Sequence, residues 1–96
     1  MILQNDIERE LTKLKPILSA KYYVDKIGYF GSYARNEQTE SSDIDIVVSF
    51  NKPVGIEFID LADYLESMFH RKIDLVSLKG IKSKYFSEIE KEIIYV

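Results

Sequence analysis

Apolar residues recur at steps of three and four from Asn5 to about Ala20, at Ile7, Leu11, Leu14, Ile17 and Leu18, which predicts a helix with one buried face. Asn5 followed by Glu8 predicts a capping box at its start, and Pro16, which lacks an amide hydrogen and crowds the preceding turn, predicts a kink or restart. The run YYVDKIGYF, Tyr22 to Phe30, is aromatic and β-branched and ends at Gly31, which predicts a strand opening into a tight turn. A second strand is predicted over DIDIVVSF, Asp43 to Phe50. Between them the polar YARNEQTESS predicts a short helix after Ser32 and then a loop, with Asn36 able to adopt a left-handed backbone cheaply.

Pro53 predicts the start of a second helix, for which Ile56, Phe58, Ile59, Leu61, Leu65, Met68 and Phe69 supply a broad apolar face. RKIDLVS, Arg71 to Ser77, predicts a third strand. From Ser83 onward Tyr85, Phe86, Ile89 and Ile93 keep near-helical spacing, then the chain ends in the strand-like IIYV. Helices among three to four short strands predict an α+β fold, a small mixed sheet packed against helices. The first two strands pair antiparallel across the polar loop, and the second and third are joined by a helical crossover.

A chain of 96 residues, 46% hydrophobic and 30% charged, holds one core, so the expectation is a single domain over residues 1–96 with no room for a separate substrate lobe. With 13 basic against 16 acidic residues the net charge is -3, which disfavours stable nucleic-acid binding. The absence of cysteine removes thiol catalysis and disulfides. No membrane-spanning run and no signal-like N-terminus is present, so a cytoplasmic location is expected.

Two strand positions apart, Asp43 and Asp45 share a face while Ile44 and Ile46 point the other way. Paired carboxylates repel unless a cation or a shared proton offsets the charge, and oxygen donors at this separation suit Mg2+. Asp74 puts another acid into an apolar strand; if its strand neighbours that of Asp45, the three carboxylates converge and can hold two ions that clamp a phosphate. The segment FGSYAR supplies the opposite half: Gly31 and Ser32, with nearby free amides, grip triphosphate oxygens. Arg35 either reaches a phosphate or braces the loop through Glu37 or Asp43. Carboxylates and phosphate donors together define a phosphoryl or nucleotidyl transfer site.

Gly31-Ser32, ten intervening residues and then Asp43-x-Asp45, followed by IDLV around Asp74, resemble the signature of the DNA polymerase beta-like nucleotidyltransferase superfamily. More narrowly the chain resembles the minimal nucleotidyltransferases, the antitoxin half of HEPN/MNT toxin-antitoxin pairs, and the likeness covers nearly its whole length. The resemblance implies the polymerase beta-like fold, Gly31 and Ser32 as phosphate contacts, Asp43, Asp45 and Asp74 as metal-binding catalytic acids, and Arg35 at a commonly basic place. It also implies ATP as donor, with two Mg2+ ions when ATP is bound, and transfer of AMP to a tyrosine of a partner HEPN ribonuclease in a hetero-oligomer. Asn36 departs from the glycine that relatives often carry there. Two other functions remain open: a non-catalytic antitoxin that only covers its toxin, and a nucleotidyltransferase acting on a small molecule or an RNA 3' end.

Outside the signature the plainer expectations prevail. His70, the single histidine, is expected to be exposed near a helix-strand junction, and the lysines of KGIKSK, residues 79–84, form a solvated turn. Tyr33 lies inside the signature and is a candidate to stack on a base or face the partner. Part of the apolar surface of the tail, Phe86, Ile89, Ile93, Ile94 and Val96, is expected to bury against a partner.

Overall fold

The computed structural model describes residues 2–96. Helix α1, Gln4–Tyr22, begins one residue before the predicted cap. The Leu3 amide donates to Asp6 Oδ2 at 2.8 Å. A leucine side chain has no acceptor to return, so the cap is one-sided and places the Asp6 carboxylate at the positive end of the helix. Glu8, predicted to close a capping box with Asn5, instead accepts a hydrogen bond from the Tyr29 hydroxyl at 2.5 Å.

Pro16 does not interrupt α1. It sits on the exposed face, where the Thr12 carbonyl it leaves without a donor is open to solvent, while Leu11, Leu14 and Leu18 hold the helix to the core on both sides. Ile17, predicted to be on the buried face, is 45% exposed. Tyr22, predicted to open the first strand, ends α1, and Tyr23 stops the helix at φ 61° with its amide on the Leu18 carbonyl.

Strands β1, Val24–Phe30, and β2, Ile44–Phe50, follow. Helix α2 spans Ile56–Phe69, three residues later than Pro53 predicts. The chain up to Asn51 is still tied to the strand pair, its amide donating to the Tyr23 carbonyl at 2.9 Å, and Glu57 Oε1 takes up the Gly55 amide at 2.9 Å where the helix starts. Of its predicted apolar face Leu61, Leu65 and Phe69 are buried, whereas Ile56 and Ile59 are exposed. Strand β3, Ile73–Ser77, runs into a 3₁₀ turn at Leu78–Gly80. The tail realises both of its tendencies: helix α3, Ser83–Ile89, a 3₁₀ turn at Glu90–Glu92, then strand β4, Ile94–Tyr95.

The sheet order is β3-β2-β1-β4, with β2 antiparallel to β1, β3 parallel to β2, and β4 antiparallel to β1. This is the mixed sheet with helical crossover that the sequence predicts. Ile44, Ile46 and Val48 of β2 join Ile7, Leu11, Leu18, Leu61 and Leu65 in one core. Strand alternation therefore sends Asp45 to the sheet face away from that core. No helix of the described residues is long and apolar enough to cross a membrane.

Candidate active site

Gly31 ends β1 with φ +73°, a conformation that a residue with a side chain adopts only at a cost. The Arg35 amide bonds the Gly31 carbonyl at 3.1 Å, that of Asn36 bonds Tyr33 at 3.3 Å, and that of Glu37 bonds Ser32 at 2.8 Å. The last two, with Asn36 at φ 57°, form the reciprocal pair that closes a helix end. The short helix predicted after Ser32 is thus a single turn, stopped at the residue expected to take the left-handed shape. Among the described residues the amides of Ser32, Tyr33 and Ala34 and the Ser32 hydroxyl make no hydrogen bond to protein. These are donors available to an anion.

The Gly31 amide is not one of them, contrary to the expectation of a free donor: it donates to Glu92 Oε1 at 3.1 Å. What Gly31 contributes is the absence of a side chain. A β-carbon there would overlap Asp45 Oδ2 outright and stand 3.0 Å from its Cγ. The carboxylate of β2 therefore lies in the hollow at the start of the Ser32 turn, which joins the two halves of the motif in space.

In the parallel register of β2 and β3, Asp45 lies directly beside Asp74. That alignment is fixed at its start by the Ile44 amide on the Lys72 carbonyl at 3.0 Å and by the Ile73 amide on Glu66 Oε2 at 3.1 Å. Asp45 is half-buried and its carboxyl is pushed up to about 6. Burial is the largest cause, followed by the charge and close approach of Asp74 and the charge of Asp43, with Arg35 pulling the other way. Two like charges side by side across the strands make Asp45 hold its proton more tightly than an ordinary aspartate. Asp43 is exposed immediately before β2. Among the described residues no group of three or more acidic or histidine side chains is already closed into a metal cage. The expected convergence is therefore partial: Asp45 and Asp74 lie side by side, and Asp43 acts on Asp45 through its charge. All three are hard oxygen donors with a repulsion to neutralise, which fits Mg2+.

Arg35 takes the bracing alternative, with an addition. Its Nε donates to Glu37 Oε1 at 2.8 Å, and its Nη1 contacts Glu92 Oε1 and Oε2 at 3.2 and 3.1 Å. The predicted pairing with Asp43 does not form. Glu92 was missed by sequence reasoning; the available signal was an acid next to the strand-like IIYV, but its opposite residue depends on a register that no local pattern gives. Tyr33, a candidate for stacking on a base, is fully buried with its hydroxyl unpartnered, so it faces neither base nor partner. His70 is exposed and caps α2 at φ 53°, as expected. Lys79, Lys82 and Lys84 are exposed. A cavity of about 830 Å3, lined by Phe50, Pro53, Phe58 and Leu78, lies beyond the far ends of β2 and β3 from the acids.

The nucleotidyltransferase domain family matches residues 11–96. A candidate protein adenylyltransferase of Methanocaldococcus jannaschii is 47% identical over 96 residues, 96% of each chain. The protein adenylyltransferase MntA of Thermococcus cleftensis is 39% identical over 97 residues, covering 100% of this chain and 98% of that one. Among solved structures, a tri-AMPylated Shewanella oneidensis HEPN toxin in complex with its MNT antitoxin matches with TM-score 0.62 and 25% identity, over 96% of this chain and 66% of that one. With a polymerase beta-like sheet that carries paired acids beside an open glycine-serine turn, and with these relatives along its whole length, the chain belongs to the nucleotidyltransferase domain family and is a minimal nucleotidyltransferase.

Proposed function

We propose that the chain is the antitoxin of a toxin-antitoxin pair and a Mg2+-dependent protein adenylyltransferase that moves AMP from ATP to a tyrosine of a HEPN-domain toxin. One observation carries this reading: Asp45, side by side with Asp74 across β2 and β3, lies in the Gly31 hollow, beside a turn whose Ser32 hydroxyl and first amides are unclaimed. Acids on one side and anion donors on the other suit a nucleoside triphosphate that carries metal. Similarity to the Thermococcus adenylyltransferase and to the Shewanella antitoxin supports the nature of donor and acceptor.

Asp43, Asp45 and Asp74 are the residues that would hold Mg2+, which when bound offsets phosphate charge and lowers the pKa of an attacking hydroxyl. Ser32 and the amides that follow it hold the outer phosphates and fix the donor's orientation. Arg35 adds positive charge on the side from which pyrophosphate departs. The acceptor oxygen bonds to the α-phosphorus as the bond to the bridging oxygen breaks, and Asp74, exposed on edge strand β3, takes the hydroxyl proton. Asp43 and Asp74 are exposed and Asp45 is only half-buried, which leaves the acids open to an acceptor presented by a second macromolecule.

Incubating the chain with ATP, Mg2+ and its HEPN partner should add the mass of one or more AMP units to the partner, and Asp43→Asn or Asp45→Asn should abolish the addition. If the double Asn variant still silences the toxin and wild type adds no mass, the chain neutralises by covering alone. Modification of a small molecule or an RNA end, with the partner untouched, would also overturn the proposal.

A further inference from the structure

Glu92 stands where the C-terminal strand meets the nucleotide-binding turn. In the β1-β4 register Gly28 faces Tyr95 and Tyr29 faces Ile94, and the same antiparallel pairing continued two residues brings Glu92 opposite Gly31. At that point β4 has given way to the 3₁₀ turn Glu90–Glu92. The Gly31 amide, which points toward the missing strand, is met by the Glu92 carboxylate instead of a backbone carbonyl. The same carboxylate holds Arg35 Nη1 through both oxygens, while Glu37 holds Nε. Both protons of Arg35 Nη2 have no protein acceptor among the described residues. The Glu92 side chain is 26% exposed against 65% for Glu37, so Glu92 is the more fixed of the two anchors.

We infer that Glu92 is a positioning residue for the donor nucleotide: it completes the sheet at Gly31 and sets the Arg35 guanidinium so that its free Nη2 edge meets the outer phosphates of ATP. The inference rests on the nucleotidyltransferase reading and deepens it. A guanidinium has its donors in one plane, so fixing Nε and Nη1 also fixes the direction of Nη2. Glu92 does not compete for the anion site, because it meets the Gly31 amide along the edge that β4 occupies, whereas the unclaimed donors are Ser32 and the amides after it. An exposed arginine released from both anchors would lose side-chain freedom each time it bound a phosphate; here that freedom is already removed.

The test is equilibrium binding of Mg·ATP and of AMP to wild type, Glu92→Ala, Glu92→Gln, Arg35→Ala and the Arg35→Ala/Glu92→Ala pair. Glu92→Gln keeps an acceptor for the Gly31 amide and removes only the charge, so it carries the test if Glu92→Ala fails to fold. Removing Glu92 should weaken ATP binding by about tenfold, the scale of a coupled charge-assisted contact. AMP binding, which lacks the outer phosphates, should stay within about twofold, and Glu92→Ala should add nothing in the Arg35→Ala background. Exchange of the Arg35 Nη1 protons, which Glu92 holds, should be faster in Glu92→Ala than in the wild type without nucleotide. Unchanged or tighter ATP binding in both Glu92 variants, or equal weakening toward ATP and AMP, overturns the assignment. A wild-type chain that ignores ATP takes down the nucleotide reading along with it, whereas one that binds ATP beside Glu92 variants that bind equally well removes Glu92 alone.

Discussion

Tyr33 carries a polar group that its surroundings do not satisfy: its side chain is fully buried and its hydroxyl has no hydrogen-bond partner. Its backbone is well held, since Gln4 Nε2 donates to the Tyr33 and Ala34 carbonyls at 2.7 and 3.0 Å. An unpaired buried hydroxyl costs about 1–3 kcal/mol, while the ring contributes apolar area to the core. Tyr33→Phe should therefore raise stability by about 1 kcal/mol and leave nucleotide binding unchanged. Denaturant unfolding alongside ATP titration measures both, and a loss of affinity would restore the stacking role that burial argues against. The residue also shows where a motif misleads. Its place between Ser32 and Arg35 suggests function, but within the single turn the side chain of Tyr33 is buried in the core while that of Arg35 is exposed. The side-by-side placement of Asp45 and Asp74 was legible because strand alternation separates acids from core residues, whereas Asp43 lies just before β2 where alternation does not place it; Asn36 was legible because few other residue types tolerate its backbone.

The elements were legible in kind and less so in extent, for reasons that differ along the chain. Leu14 and Leu18 outweigh Pro16, because tertiary packing on one face overrides a local break on the other. Tyr22 misplaced a boundary because the left-handed stop falls on Tyr23, a residue type that does not announce it, and Pro53 because the tie between Asn51 and Tyr23 joins residues distant in sequence. Strand β4 is the clearest case. It has two residues, and its place next to β1 is secured by the Val96 amide on the Ile27 carbonyl at 2.9 Å and by Lys15 Nζ on the Val96 carbonyl at 3.0 Å. Gly28 admits it: a β-carbon there would come within 2.7 Å of the Ile94 carbonyl oxygen. Gly28→Ala should push β4 from the sheet edge, carry Glu92 away from Gly31 and Arg35, and destabilise the chain by about 2 kcal/mol. Hydrogen exchange should show Val96 losing protection while the amides of β2 exchange only in line with the lower global stability. Retained protection at Val96 would mean that the strand edge relaxes without releasing the tail.

Across the whole molecule, the site is built at the expense of stability, and pH exposes this. The Asp45 carboxyl lies at about 6 in the folded chain, above the ordinary 3.8 of an aspartate, so the folded state holds the proton more tightly than the unfolded state does. Its contribution is fully present below the unfolded value and is lost as pH rises through the folded one. Replacement by the neutral isostere removes this titration, so the stability gap between Asp45→Asn and wild type should open from about pH 4 to 7 and stay level above. Because Asp45 is only half-buried, solvent screening reduces the gap to about 1 kcal/mol, or about 4–8 °C in Tm. Mg2+ should reverse the comparison in wild type alone: a cation that binds only the folded state adds stability through mass action, and must displace the proton that Asp45 holds. The Mg2+-induced rise in Tm should therefore be small near pH 5, grow toward pH 7.5 and be much reduced in Asp45→Asn. Calorimetric scans of both chains across this range, with and without Mg2+, decide the matter. If Asp45→Asn is no more stable than wild type at pH 7.5 without metal, or gains as much from Mg2+, then the acids lie on the sheet without the strain that makes them a cation site.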